Sequence, residues 1–146
     1  MNKNIYLVIG SNSFSGSNLI HRLLQRGNKN RVIGISRSNE YQNFFLKYKY
    51  SKYLKNFKYY KYNIKDTKKI LKLVRLYKPK FILNYAALGM VNESWVNPDD
   101  WYTTNLVYQT ALYKNLINFK FIKKIIHVST PEVYGSTKKK LKENFK

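Results

Sequence analysis

Five short apolar runs alternate with segments of helical periodicity along this chain, and this alternation restricts its fold more than any other feature. The first run, Ile5–Ile9, ends at Gly10, and apolar residues at one-face helical spacing follow it. Continuous apolar runs are typical of parallel strands that are buried on both faces. The sequence therefore predicts an α/β fold with a doubly wound parallel sheet of five strands. The later strands are predicted at Arg31–Ile35, near Phe57–Ile64, at Phe81–Tyr85 and at Lys123–Ser129.

The predicted helices have recognisable ends. Gly27 is placed to close the first helix, and Asp66 or Thr67 to cap the second. The segment Asn97–Asp100 combines an Asn cap, a proline at the first helical position and two carboxylates facing the positive end of the helix dipole. The helix that it opens is predicted to run to about Asn118.

Composition limits the function classes. The chain has 146 residues, which suits one domain, and it has no cysteine, which excludes disulfides and thiolate chemistry and agrees with a cytoplasmic location. Its net charge is +21, but lysine, asparagine, tyrosine and isoleucine are enriched together, as an AT-rich coding sequence produces. We therefore expect no specific nucleic-acid partner. The alternative is a basic module that stacks bases on tyrosines of the segment Tyr41–Tyr62.

The amino-terminal apolar run is too short for a signal peptide or a membrane span, so no membrane partner is expected. His21 is predicted on the polar face of the first helix and His127 inside the core. With one isolated carboxylate near His127, no metal site is predicted.

The turn after the first strand has the composition of a phosphate-binding loop. In a strand-turn-helix unit, backbone N–H groups and the helix dipole face a bound pyrophosphate, and glycine allows both positive φ and close approach. The candidate cofactor-binding residues in this turn are Gly10, Asn12, Ser13, Phe14 and Gly16. Ser13 is expected to offer its N–H and its hydroxyl to the phosphate.

Ser36 and Arg37 end the second strand. An acidic residue at this point accepts from the adenosine ribose, whereas a basic one favours a 2′-phosphate. The guanidinium of Arg37 suits a phosphate monoester, so NADP is predicted as cofactor, with NAD as second choice. The alternative for Arg37 is a solvated surface charge.

Thr130 and Glu132 follow the fifth apolar run, where ligands bind in doubly wound folds. Their segment, His127–Ser136, closely resembles the S-T-(D/S)-E-V-Y-G motif of the extended short-chain dehydrogenases, the NAD(P)-dependent epimerases and dehydratases of nucleotide sugars. The glycine turn is similar to that family's G-x-x-G-F-x-G, with Ser13 at the second glycine. The resemblance implies a Rossmann-like fold and covers essentially the whole chain, but only the amino-terminal half of a family member.

The resemblance implies further site residues. Asn63 and Ile64 stand where the family carries Asp-Ile against adenine, although Asn63 also suits a turn. Ala86 and Ala87 match the N-x-A-A segment beneath the cofactor. In the same register, Ser94 would contact substrate, and Asn105 would brace its helix against the sheet beside the cofactor.

The resemblance also implies catalytic roles. In 4,6-dehydratases of this kind the threonine hydroxyl holds the sugar O4 during oxidation, and the glutamate removes the C5 proton. Pro131 replaces the aspartate of the glucose-type enzymes, as in the GDP-mannose type, so Glu132 would act as both base and acid. The alternative for Glu132 is a carboxylate that caps a turn.

The family's catalytic Tyr-x-x-x-Lys pair is expected beyond this chain. Tyr48/Lys52 and Tyr134/Lys138 have that spacing, but two such pairs are expected by chance in so tyrosine- and lysine-rich a sequence. The C-terminal part of the family fold would then be missing.

Residues 1–137 are accordingly predicted to form an incomplete Rossmann domain, followed by a basic tail, residues 138–146, whose Lys142-Glu143-Asn144 is similar to the family's K-E-N. The predicted function is that of an NADP-dependent nucleotide-sugar 4,6-dehydratase, a lyase, or its cofactor-binding fragment. Its substrate would be a GDP- or dTDP/UDP-hexose, and its partner a second copy or a complementing C-terminal half. The alternative is a non-catalytic cofactor-binding half of a split or decayed epimerase or decarboxylase.

Overall fold

The predicted parallel sheet is confirmed. The computed structural model describes residues 3–138 and 140–143. Five strands form one sheet in the order β3-β2-β1-β4-β5, and every neighbouring pair is parallel. Their carboxyl ends therefore meet at one edge. The strands are β1 Asn4–Ile9, β2 Asn30–Ser36, β3 Phe57–Lys61, β4 Phe81–Asn84 and β5 Lys124–His127.

Helices cover both faces of this sheet. The α-helices are α1 Phe14–Gln25, α2 Thr67–Tyr77, α3 Val91–Val96, α4 Pro98–Tyr102 and α5 Tyr108–Leu116. A π-helical turn, Thr103–Val107, joins α4 to α5. The sequence predicted one helix from Asn97 to about Asn118, and it missed both α3 and the π-helical turn. None of the described helices is long and apolar enough to cross a membrane.

The core has two layers because alternate strand residues point to opposite faces. On β1, Leu7 and Ile9 pack with α2 and α5, whereas Val8 packs with α1. The α1 layer also contains Tyr48, from a short 3-10 turn, Lys47–Tyr50. The segment before β3 contains three short 3-10 turns among its described residues, Asn43–Phe45, Lys47–Tyr50 and Leu54–Asn56, and the second supplies this core residue.

The predicted caps occupy their positions without the expected side-chain bonds. Gly27 follows α1 with a φ of +73°, as a helix-closing glycine does. Asn97 and Asp66 precede α4 and α2, but neither side chain accepts a capping hydrogen bond from its helix. Instead, a carboxylate oxygen of Asp66 accepts from the Asn63 N–H at 3.0 Å and closes the turn after β3.

The fifth strand differs from the prediction of a strand buried on both faces. Within the described residues β5 pairs only with β4 and forms one edge of the sheet. Ile126 and Val128 are each 42% exposed. His127 is exposed as well, so its placement in the core was wrong; its ring meets the Tyr113 hydroxyl at 2.7 Å. His21 lies half-buried on α1 beside Gln25.

Tyr48 gives a testable stability contribution. Its side chain is fully buried, and its hydroxyl donates to the Glu40 carboxylate at 2.7 Å. Burial first, and then the bond and charge of Glu40, raise the pKa of Tyr48 above its ordinary value of 10.0. We expect Tyr48→Phe to lower the free energy of unfolding by about 1.5 kcal/mol at neutral pH.

The same variant tests the pKa shift. The raised pKa contributes stability that is present below pH 10 and is lost as the pH rises, because the unfolded chain ionises first. The stability difference between the two proteins should therefore shrink above pH 10, as urea unfolding at pH 8 and at about pH 10.5 will show. An unchanged difference would contradict the role of Tyr48.

Candidate functional site

A cleft of about 280 Å³ opens at the carboxyl edge of the sheet, beside the point where the strand order reverses between β1 and β4. Ligands of doubly wound folds bind at this kind of position. Most of the predicted cofactor-binding residues line the cleft. They are Gly10, Asn12, Ser13, Ser36, Arg37, Asn63, Ile64, Ala86 and Ala87.

The glycines of the first turn permit close backbone contacts. Gly10 has a φ of +82°, and a Cβ at this position would lie 2.8 Å from the backbone nitrogen of Ala86. A Cβ on Gly16 would lie 2.4 Å from the Gly10 carbonyl oxygen. A larger residue at Gly10 would push away the loop that follows β4, and a larger residue at Gly16 would push α1 away from the turn. Gly16 therefore shapes the turn from beneath and does not line the cleft.

The N–H groups of the glycine turn that are free to bind a ligand do not include the Ser13 N–H, which the sequence had suggested. Its N–H donates to the Gly10 carbonyl at 3.0 Å, and its Oγ accepts from the Gly16 N–H at 3.0 Å as the cap of α1. The Ser13 N–H is therefore unavailable to a ligand, whereas its hydroxyl proton is not used in the cap. Among the described residues, no acceptor pairs with the N–H groups of Phe14 and Ser15, which open the 12-residue α1.

The end of β2 is tied to this turn. The Asn12 N–H donates to Ser36 Oγ at 3.0 Å, and Ser36 is buried. Arg37 follows with an exposed side chain on the rim of the cleft. Within residues 3–138 and 140–143 no carboxylate forms an ion pair with Arg37. Its guanidinium is consequently available to an anion.

Asn63 acts as a turn residue at the opposite wall. Its Oδ1 accepts from the Lys65 N–H at 3.1 Å, so this acceptor is engaged within the turn. Its amide NH₂ is left as a donor toward the cleft. Ile64 is buried next to it and gives this wall an apolar surface.

A buried hydrogen-bond network supports the floor of the cleft. The Asn84 amide nitrogen donates to Gln109 Oε1 at 2.5 Å and to the Tyr113 hydroxyl at 2.7 Å. The Asn84 Oδ1 accepts from the Ala86 N–H, and the Gln109 amide donates to the Ala86 carbonyl at 2.6 Å. Both backbone groups of Ala86 are thereby fixed. Burial raises the pKa of Tyr113, which keeps its hydroxyl protonated.

Besides Gly16, three more predicted residues lie outside the cleft lining. Phe14 is 84% exposed and borders a separate depression with Tyr41 and Phe45. Asn105, in the π-helical turn, bonds the N–H and the carbonyl of Leu88 at 2.9 Å each, so it braces the loop after β4 and not the sheet. Ser94 is half-buried, and its hydroxyl donates to the Val91 carbonyl at 2.6 Å.

The predicted catalytic pair also lies apart from the cleft lining. Thr130 precedes the 3-10 turn Pro131–Tyr134, and its hydroxyl donates to the Glu132 carboxylate; Thr130 and Glu132 are both exposed. Neither residue contributes to the cleft. Tyr134 belongs to this turn, and Tyr48 is buried in the core, where its hydroxyl donates to Glu40. Asn144 of the predicted K-E-N segment lies outside the described residues, as do Lys139 and the last two residues of the tail.

Sequence reasoning missed part of the lining. Ser38, Tyr41, Tyr62, Tyr85, Leu88 and Thr104 also line the cleft. Tyr85 is the last residue of the predicted strand Phe81–Tyr85, and Ser38 comes three residues after the predicted strand Arg31–Ile35, so both could have been found from their place at the strand ends. Thr104 could not, because its position depends on the π-helical turn. Within the described ranges no group of three or more metal-ligating side chains occurs.

Comparison with known families and proteins agrees with this architecture. The family model described as GDP-mannose 4,6 dehydratase matches residues 7–146. The chain is 26% identical over 135 residues to the bifunctional protein GAL10 of Candida maltosa, covering 92% of this chain and 87% of that protein.

Solved structures give the same fold. A UDP-glucose 4-epimerase from Thermotoga maritima, solved with UDP-glucose, is 25% identical with a TM-score of 0.75, covering 92% of this chain and 41% of that one. A dTDP-glucose 4,6-dehydratase from Bacillus anthracis, solved with NAD, is 24% identical with a TM-score of 0.77, covering 98% and 43%. The chain thus spans about two fifths of the length of these solved enzymes.

Proposed function

The chain belongs to the GDP-mannose 4,6 dehydratase family, and from this membership we propose that its cleft binds a nicotinamide dinucleotide, NADP in preference to NAD, for chemistry on a nucleotide sugar. The observation that carries the proposal is the convergence of the glycine turn, the end of β2 and the floor over Ala86 on one cleft. The NAD and UDP-glucose named with the two solved enzymes support the same ligand classes.

The residues present fit a dinucleotide. Gly10 has no Cβ to clash with the loop after β4, so the glycine turn and Ala86 lie close together in the lining of one cleft. The Phe14 and Ser15 N–H groups supply donors at the positive end of α1. Asn12 Oδ1 is buried without a donor among the described residues, and a ribose hydroxyl is a donor.

Each wall would have its own task. The α1 turn and the Ser13 hydroxyl would bind the pyrophosphate, Arg37 a 2′-phosphate, and Asn63 with Ile64 the adenine edge. Ala86 and Ala87 leave room for the dinucleotide to lie against the backbone that the Asn84 network holds. When bound, a nicotinamide supplies hydride acceptance and return, and the protein supplies orientation.

Thr130 and Glu132 are proposed to act on the sugar, with the hydroxyl holding O4 and the carboxylate removing and returning protons. A GDP-hexose is the proposed substrate, and a dTDP- or UDP-hexose is the second choice. Ser94 is proposed to contact substrate. A second copy or a complementing chain is the proposed partner, and the cytoplasm the proposed location.

A second candidate is a cofactor-binding module without turnover. The observation that favours it is the exposed position of Thr130 and Glu132, apart from the cleft lining. The two candidates share the dinucleotide site. They differ in whether addition of a nucleotide sugar changes the redox state of the bound cofactor.

Arg37→Ala tests the choice of dinucleotide. We expect wild-type protein to bind NADP more tightly than NAD in calorimetric titrations at about 0.15 M salt, where long-range attraction is screened. Loss of the guanidinium should weaken NADP binding roughly 10- to 100-fold, because a charge-assisted pair with a phosphate is removed. NAD binding should change less than about twofold, since NAD has no 2′-phosphate.

The control is Arg22→Ala. Arg22 is an exposed arginine on α1, so this variant loses the same charge away from the cleft. If both variants weaken NADP equally, the effect comes from the net charge of +21 and not from Arg37. Absence of binding by folded wild-type protein to either dinucleotide would refute the proposed function.

A further inference from the structure

The backbone on both sides of Arg37 is held by one phenol. Tyr59 lies on β3, directly opposite Gly34 of β2 in the parallel register. Its hydroxyl is shared between two carbonyl acceptors, those of Ser36 at 3.3 Å and of Ser38. These two residues flank Arg37 in the chain. A single side chain from the neighbouring strand therefore fixes the peptide groups that set the direction of the Arg37 side chain.

A second side chain, from the glycine turn, also bonds the residues that follow Arg37. Asn12, in the glycine turn, donates through its amide to Ser38 Oγ at 3.0 Å and to the Asn39 carbonyl at 2.7 Å. Asn12 is buried, and its N–H is bound to Ser36. Its N–H and its amide NH₂ are thus committed to residues 36–39 rather than offered to a phosphate. These hydrogen bonds connect the glycine turn to residues 36–39.

The guanidinium itself is not held in place. No described carboxylate pairs with it, and the side chain is exposed. A free arginine side chain loses rotamer entropy when it is fixed, so any additional freedom in its backbone weakens the contact further. The geometry of residues 36–39 consequently decides how much of the phosphate contact is realised.

We infer that Tyr59 and Asn12 are positioning residues that set the preference for NADP over NAD by holding the backbone of Arg37. The inference rests on the proposed function and deepens it. A 2′-phosphate requires the guanidinium at one place, whereas the 2′-hydroxyl of NAD makes no such demand. Loosening residues 36–39 should therefore weaken NADP binding selectively.

The test is Tyr59→Phe, which keeps the ring and removes only the hydroxyl. We expect NADP binding to weaken roughly 3- to 10-fold, the effect of one hydrogen bond, with NAD changed less than about twofold. The matched control is Tyr6→Phe. Tyr6 stacks on Phe81 with a centroid separation of 5.0 Å and does not line the cleft, so this variant should change neither affinity.

A double-mutant cycle decides whether the effect passes through Arg37. In the Arg37→Ala background, adding Tyr59→Phe should produce no further loss of NADP affinity, since the two changes remove the same contact. Equal weakening of NADP and NAD by Tyr59→Phe, no weakening of either, or an undiminished effect in the Arg37→Ala background would each overturn the inference while leaving the dinucleotide site intact. Failure of folded wild-type protein to bind either dinucleotide would overturn both proposals.

Discussion

Gly10→Ala should lose at least about 3 kcal/mol of unfolding free energy and bind dinucleotide at least roughly tenfold more weakly. Two effects add at this position. The φ of +82° disfavours any side chain, and the new Cβ would lie 2.8 Å from both the Ala86 nitrogen and the Tyr85 carbonyl carbon. Both contacts are to backbone, which cannot rotate away. Relief requires movement of the β4 loop, which forms the floor of the cleft.

Gly27→Ala separates these two effects. Gly27 also has positive φ, at +73°, but a Cβ there would meet the Tyr53 ring at 3.4 Å, an ordinary contact. We expect this variant to lose only about 1 kcal/mol, the conformational part of the effect, and to bind dinucleotide normally. Urea unfolding and calorimetric titration of both variants give the comparison. Equal losses in the two would mean that the approach of the turn to Ala86 is not close.

Asn84→Leu is expected to destabilise the protein by about 3 kcal/mol, because several buried groups lose a partner together. Asn84 is fully buried and links Gln109, Tyr113 and the Ala86 N–H. Leucine has a similar size but no polar atom, so Gln109 Oε1 and the Ala86 N–H would each be left without this partner. Ala86 would also lose one of the two bonds that fix its backbone, so dinucleotide binding should weaken as well.

Asn115→Leu provides the matched control. Asn115 lies on α5, is exposed, and donates to the Ala111 carbonyl one turn earlier at 2.8 Å. We expect a stability change within about 0.5 kcal/mol, as for most surface substitutions. Thermal and urea unfolding measure both variants. A small effect of Asn84→Leu would show that the network is replaced by water and does not support the floor of the cleft.

The strands, their parallel arrangement and the position of the site were predictable where local chemistry decides the structure. Apolar runs such as Ile5–Ile9 mark strands, and parallel strands bring their carboxyl ends to one edge. Residues at those ends, including Gly10, Arg37 and Ala86, therefore share a cleft. This part of the prediction depended only on element order and on the alternation of strand and helix.

The missed features depend on contacts between distant segments. Asn63 and Ser13 are turn residues whose donors and acceptors pair with nearby backbone, and a motif does not show which groups stay free. Exposure of His127 follows from the edge position of β5, whereas an apolar run alone suggests burial. The Asn84–Gln109 bond joins residues 25 apart, and no periodicity indicates it.

The π-helical turn Thr103–Val107 allows the helical segment from α4 to α5 to change in length. An i→i+5 turn holds one residue more than an α-turn, so the extra residue is absorbed locally and the flanking helices keep their faces. After loss of one residue from this turn, Leu112 and Leu116 would still face the sheet. Thr104 would move out of the cleft wall, and Asn105 would lose its bond to the Leu88 backbone. Insertions and deletions at this point can therefore reshape the ligand site without altering the core.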